Sequence, residues 1–296
     1  KDLTKMSSKS AIKLVVPDGA HSMLFKWVAL LTGSKNALKG AGFFLGASLL
    51  AGFGFIHALW AMAAGLAVIL IASVTLLPGD MGKAKAKVKF TSILSKSRAI
   101  NLLSAARFFL FGARDVWFVV GVPIFLYEVI GWSFMEVGSF IAAWVIGYGG
   151  MQAFAPKIVN RSADGHSSEI RAAQWWAFVL AGLPLAIAGL VEAGVAPVVS
   201  VVGGLVLFGI VFAVNSSVHS YLILSFSDSD KVALNVGFYY MANAGGRLVG
   251  CLFSGLSYQI WGLPGCLLTA SVMVVAAGAI TIVLAGEQCG PARSEA

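Results

Sequence analysis

Apolar runs of about twenty residues recur along the whole chain, separated alternately by tight turns and by longer, basic connections. The runs fall at about 24–53, 57–77, 100–127, 134–155, 172–191, 197–224, 233–258 and 263–285. Twenty helical residues rise about 30 Å, the thickness of a bilayer's hydrocarbon core, so each run predicts one membrane span. The expected fold class is therefore all-α, a polytopic membrane protein with about eight transmembrane helices present.

The connections divide into two chemical kinds. GFIH, EVIGWS, EAGVAP and WGLPG are short and contain no Lys or Arg. Lys83, Lys85, Lys87, Lys89, Lys96 and Arg98 crowd another connection, Lys157, Arg161 and Arg171 flank the next, and Lys231 marks a third. By the positive-inside rule the basic connections and both ends of this chain are cytoplasmic. The linker 78–99 is the one stretch long and polar enough to divide the chain. It leaves two spans before it (24–77), six after it (100–285) and a tail at 286–296. Six helices make a plausible bundle and two do not make its counterpart. Since transporters commonly consist of two related halves, about four spans are expected ahead of this sequence. Residues 1–23 then hold the end of a truncated span and a cytoplasmic loop. There Lys1, Lys5, Lys9 and Lys13 recur every four residues, a single helical stripe. Two readings stand equally: a solvated cytoplasmic face, or the wall of a polar pathway.

Composition narrows the function. A mean hydropathy of +0.87, with 58% hydrophobic and 11% charged residues, excludes a soluble globular chain. The net charge of +8 follows the membrane topology and is not gathered into one solvated domain, so nucleic acid is not an expected partner. The lipid bilayer is. Cys251, Cys266 and Cys289 show no CxxC or CxxH spacing; they predict no metal site and no disulfide framework, and no cofactor is implied.

The informative residues are the charges inside the spans. Lys35, Lys39, Arg107, Arg114 and Arg247 lie in otherwise apolar text, and Asp115 is the one acid at comparable depth. Five cations facing lipid would cost on the order of 12–18 kcal/mol on insertion scales. They must face something wet, paired or anionic, and a single carboxylate cannot neutralise the set. A small anionic substrate can. Lys35 and Lys39 are one turn apart, with Gly42 and Gly46 continuing that side as a GxxxG for close helix approach. Lys26, near the start of the same helix, reads as an interfacial anchor. Arg107 and Arg114 are two turns apart; Asp115 is expected to hold one of them and leave the other for ligand, with a proton-coupling role as the alternative. Asn235, Tyr239, Asn243 and Arg247 form a polar stripe every fourth residue, and Gly245 and Gly246 remove bulk beside the guanidinium, whose planar fork matches phosphate or carboxylate oxygens. Asn215, Ser216, His219 and Ser220 supply a weaker patch. For His219 a helix-to-helix hydrogen bond is the favoured reading over proton shuttling.

Catalytic signatures such as HExxH, GxSxG and the P-loop are absent from the sequence, so the chain does not read as an enzyme or an ATP-driven pump. The expected function is a secondary transporter of an organic polyanion. A permease for another organophosphate or carboxylate anion, or a membrane-embedded enzyme acting on phosphate-bearing headgroups, is the alternative.

Several stretches in order, KDLTKMSSKSAIKLVVPD, LTGSKNALKGAGFFLG, SKSRAINLLSAARFFLFGARDVWFVVGVP, WVIGYG, and VGFYYMANAGGRLVG followed by LSYQIWGLPGC, resemble the organoarsenical efflux permeases of the ArsJ type, a branch of the major facilitator superfamily. The resemblance covers nearly the whole chain to about residue 285. It departs at the beginning, where three spans and most of a fourth are not present. It implies a major-facilitator-type helical bundle of twelve helices in two halves, in a bacterial inner membrane. It also implies efflux of 1-arseno-3-phosphoglycerate, hence arsenate resistance and a functional link to glyceraldehyde-3-phosphate dehydrogenase as producer of the substrate. Pentavalent arsenate presents hard oxygens like phosphate, which agrees with a cation-rich, cysteine-poor interior.

Overall fold

The computed structural model describes residues 2–17, 19–76, 97–159, 162–228 and 231–288. The lysines at 83–96, Arg161, Cys289 and the tail lie outside them, as does Lys1. The described regular structure is entirely helical: α1 (Asp2–Val15), α2 (His21–Leu76), α3 (Arg98–Val116), α4 (Phe134–Ile158), α5 (Ser167–Glu192), α6 (Pro197–Ser225) and α7 (Val232–Gln288). α2 bends at Gly54 (φ 70°, ψ 173°) and α7 at Trp261 and Gly262 (φ 62°, ψ −152°), within the GFIH and WGLPG text. These bends split each helix into two limbs, giving eight limbs for the eight apolar runs. His57, expected in a connection, continues the helix beyond the first bend.

Among the described residues, six segments are long and apolar enough to cross a membrane: Gly52–Leu76, Arg98–Val129, Met135–Ile158, Ser167–Glu192, Pro197–Ser225 and Val232–Glu287, the last spanning both limbs of α7. The first limb of α2, which carries Lys26, Lys35 and Lys39, is not among them. Lys26 is exposed.

Local chemistry explains where the helices start and change pitch. Ser133 and Glu136 close a reciprocal capping box at the head of α4: the Ser133 amide donates to Glu136 Oε2 at 2.7 Å and the Glu136 amide to Ser133 Oγ at 3.3 Å. Beyond Val116, α3 continues as two π-turns, Trp117–Gly121 and Phe125–Val129, flanking Pro123. Proline supplies no amide to the ladder, and wider turns accommodate that loss. Ser254 Oγ of α7 accepts from the Val120 amide at 3.2 Å there.

Lipid tails are as apolar as leucine, so close packing, more than water exclusion, holds spans together. The core joining α3, α4 and α6 is aromatic: Trp117 meets Trp144 and Phe208 edge-on at 5.4 and 5.2 Å, and Phe111 leans on Phe212 at 5.1 Å. Each such pair contributes about 0.5–1.5 kcal/mol beyond area alone. α3 and the first limb of α7 approach backbone to backbone at Gly112, Gly246 and Gly250; a Cβ at Gly246 would overlap the Phe108 carbonyl. Gly33 and Gly40 of α2 seat the same way on α4. Gly42 and Gly46, expected to pack, face open space.

Candidate functional site

Close approach of α3 and α7 brings their polar residues into one strip, to which α1, α2, α4 and α6 each add a side chain. Arg107 sits in the middle, 3% exposed. Its guanidinium carbon lies 3.7 Å from the Phe111 ring centre and 5.0 Å from that of Tyr239, itself fully buried. Arg107 donates to the Ser216 carbonyl at 3.0 Å and to Ser216 Oγ at 3.3 Å; its Nε has no partner. No carboxylate pairs with it among the described residues.

Ser216 anchors a hydrogen-bonded row across three helices. Its hydroxyl is 3.0 Å from the Tyr148 hydroxyl and accepts from Gln152 Nε2 at 3.0 Å, while Gln152 also accepts from Asn36 on α2. The groups that accept from Arg107 are thus neutral. Further unpartnered polar atoms occur in this region or beside it: both amide atoms of Asn215, His219 Nδ1 and Ser104 Oγ. The hydrogen bond expected for His219 is not made by its Nδ1, and the side chain is buried near Arg107.

Two further cations lie against the neighbouring tyrosines of α7. Lys35 Nζ lies 5.7 Å from the Tyr240 ring centre. Lys9 Nζ lies 5.5 Å from that of Tyr239 and 5.3 Å from that of Tyr240, with its residue only 2% exposed. Sequence reasoning placed Lys9 in a stripe without naming it as a site residue; the four-residue period was the available signal. Lys13, one turn on, is partly exposed beside His21.

Arg114 and Arg247 have a different environment. Asp115, fully buried, accepts from Arg114 Nε at 2.7 Å and through its second nitrogen, and from Arg247 Nε at 2.7 Å on its other oxygen. One carboxylate therefore holds two of the five cations, where it was expected to hold one. Arg114 remains in touch with Arg107 through Phe111, 5.1 Å from that ring's centre. Arg247 is 44% exposed, Asn243 is partly buried with its amide oxygen unpartnered, and Lys39 is exposed one turn past Lys35. Gly246, expected to make room for a ligand, instead makes room for the Phe108 backbone, and Gly245 faces the Phe108 ring.

No family model matches this chain, and no curated protein does either. Among solved structures it superimposes on the human organic anion transporter MFSD10 (TETRAN) with a TM-score of 0.69, at 17% identity, covering 93% of this chain and 67% of that one. The fold is of the major-facilitator type. In that fold the strip around Arg107 lies within a bundle of helices long and apolar enough to cross a membrane. Cys251 and Cys266 are both unpaired thiols, and Cys266 donates to the Ser254 carbonyl at 3.4 Å.

Proposed function

We propose that the chain is part of a secondary transporter for a small organic anion, bound at Arg107 with Lys35 and Tyr239 beside it and Arg114, Asn243 and Arg247 along the adjoining strip. The observation that carries this reading is Arg107 itself: a guanidinium 3% exposed, bonded by neutral groups alone, with Nε unpartnered. Removing such an ion from water costs several kcal/mol. Two aromatic faces return about 2 kcal/mol each and the neutral hydrogen bonds about 1 kcal/mol each, which offsets much of that cost but leaves the charge without a counter-ion and Nε without an acceptor. An anion with two oxygens for the guanidinium fork closes that gap with charge-assisted bonds. MFSD10, which shares the fold, is named as an organic anion transporter, which favours the same class.

The finer reading is efflux of 1-arseno-3-phosphoglycerate from a bacterial cell, with the substrate supplied by glyceraldehyde-3-phosphate dehydrogenase and both chain ends cytoplasmic. It rests on the sequence resemblance and on the match between that molecule's anionic groups and the cation strip. Lys39, exposed, is assigned to this site only as a more distant attraction. The decisive measurement is uptake of phosphate-bearing organic anions into inverted vesicles. Arg107→Lys keeps the charge and loses the fork, and should lower transport about 10- to 100-fold, one charged hydrogen bond's worth, with the protein still in the membrane. Parental rates for both Arg107→Lys and Arg107→Ala would remove the anion-site reading.

A further inference from the structure

We infer that Lys9 of α1 is the second anchor of this anion site and makes it selective for molecules carrying two separate anionic groups. The inference rests on the reading of Arg107 as an anion-binding residue and goes beyond it by fixing the ligand's charge pattern.

Lys9 is the more demanding of the two buried cations. An ammonium group is compact and strongly hydrated, and its usual escape is to extend along the helix surface to water. Lys9 does not take it, being 2% exposed with its Nζ set over two rings, Tyr239 and Tyr240. It forms no ion pair among the described residues, and the charges that face it are Lys35 from α2 and Arg107 from α3, both of its own sign. The Tyr239 and Tyr240 rings of α7 lie against it. A packing role alone is served better by methionine or leucine, which fill that volume without a charge to bury.

Tyr239 is the ring the two cations share. Arg107 lies against Phe111 and Tyr239, at 3.7 and 5.0 Å from the ring centres, and Lys9 against Tyr239 and Tyr240, at 5.5 and 5.3 Å, so each has its own second ring and a ligand meets them at two positions. Each offers a different geometry. Arg107 presents a planar fork for phosphate-like or carboxylate oxygens; Lys9 presents a point charge that accepts any oxyanion within reach. A small molecule with anionic groups at its two ends satisfies both, whereas a molecule with one such group leaves Lys9 buried and unpaired.

The test compares binding of phosphoglycolate, which has a phosphate and a carboxylate, with binding of methyl phosphate, which has the phosphate alone, to the complete protein in lipid nanodiscs. The parent should favour phosphoglycolate by about 10-fold or more. Lys9→Met, of similar shape, should weaken phosphoglycolate about 10- to 100-fold, with a smaller change for methyl phosphate, and Lys9→Arg should restore the preference. In the parent itself, phosphoglycolate should protect against thermal unfolding more than methyl phosphate does at equal concentration, since the ligand that binds the folded state more tightly raises its melting temperature further; this arm needs no variant to fold. A Lys9→Met protein that keeps the parental preference, or equal protection by both compounds, overturns the role of Lys9 while leaving Arg107 as an anion site. Failure of the parent to bind either compound overturns the anion site as a whole.

Discussion

Asp115→Asn keeps the shape of the side chain and removes the charge that two arginines share. Arg114 reaches one oxygen through Nε at 2.7 Å and its second nitrogen, and Arg247 the other at 2.7 Å; the side chains are 12% and 44% exposed against 0% for Asp115. Breaking a buried pair from one side costs about 3–5 kcal/mol, because the surviving charge is left uncompensated. That figure applies to Arg114. Arg247, nearly half exposed, is closer to a surface pair worth about 0–1 kcal/mol. The amide oxygen of Asn still accepts one hydrogen bond, so the expected loss is about 2–4 kcal/mol, a fall in Tm of roughly 3–6 °C for a chain of this size. Thermal unfolding of the purified protein in detergent, followed by tryptophan emission, measures it. Adding Arg114→Gln to the Asn variant should recover about 1–2 kcal/mol, since the stranded guanidinium is then gone. A melting point within about 1 °C of the parent, with the two substitutions additive, would refute a structural role. Asp115 as a proton-coupling carboxylate would then be the better account.

Gly246→Ala places a Cβ on the Phe108 carbonyl and should separate α3 from α7, costing about 1–3 kcal/mol and lowering the yield of monodisperse protein on size exclusion. Gly42→Ala, with nothing within 4 Å of the new methyl, should be neutral or slightly stabilising in the same assay. For topology, a cysteine at Ala163, between the flanking Lys157 and Arg171, should react with an impermeant maleimide only from the cytoplasmic side; one at Ala193 should react only from the opposite side, and the reverse pattern would invert the orientation. The Ser162 hydroxyl beside Asp164, with the Ser167 amide donating to its carboxylate at 3.0 Å and the His166 amide at 3.1 Å, holds its carboxyl well below the usual range. Its folded pKa being depressed, its contribution is fully present above the ordinary carboxylate value of about 4 and is lost as pH falls below it. Amide exchange at Ser167 should therefore accelerate, beyond its intrinsic rate, as pH falls below about 4, and Asp164→Asn should abolish that extra step.

The sequence by itself determined the class of protein and the positions of its eight helical limbs. Runs of about twenty apolar residues have one stable solution in lipid, since every backbone amide must be bonded within its own helix. Even the two bends were legible, because GFIH and WGLPG break the apolar runs where Gly54 and Gly262 take positive φ. That Arg107 and Asp115 would turn away from lipid into the protein was equally readable, from the cost of charge at such depth. Which cation meets which partner was not. The spacing of Arg107 and Arg114 along α3 says nothing about Ser216 or Arg247, more than a hundred residues away in sequence. The GxxxG text pointed to Gly42 and Gly46, while the helix contacts fall on Gly33, Gly40 and Gly246, because a small residue is useful only where another backbone arrives. Lys9 shows the same limit most plainly. A four-residue stripe of lysines is compatible with water or with a polar interior, and only the packing of α1 against α7 set Lys9 under two tyrosine rings.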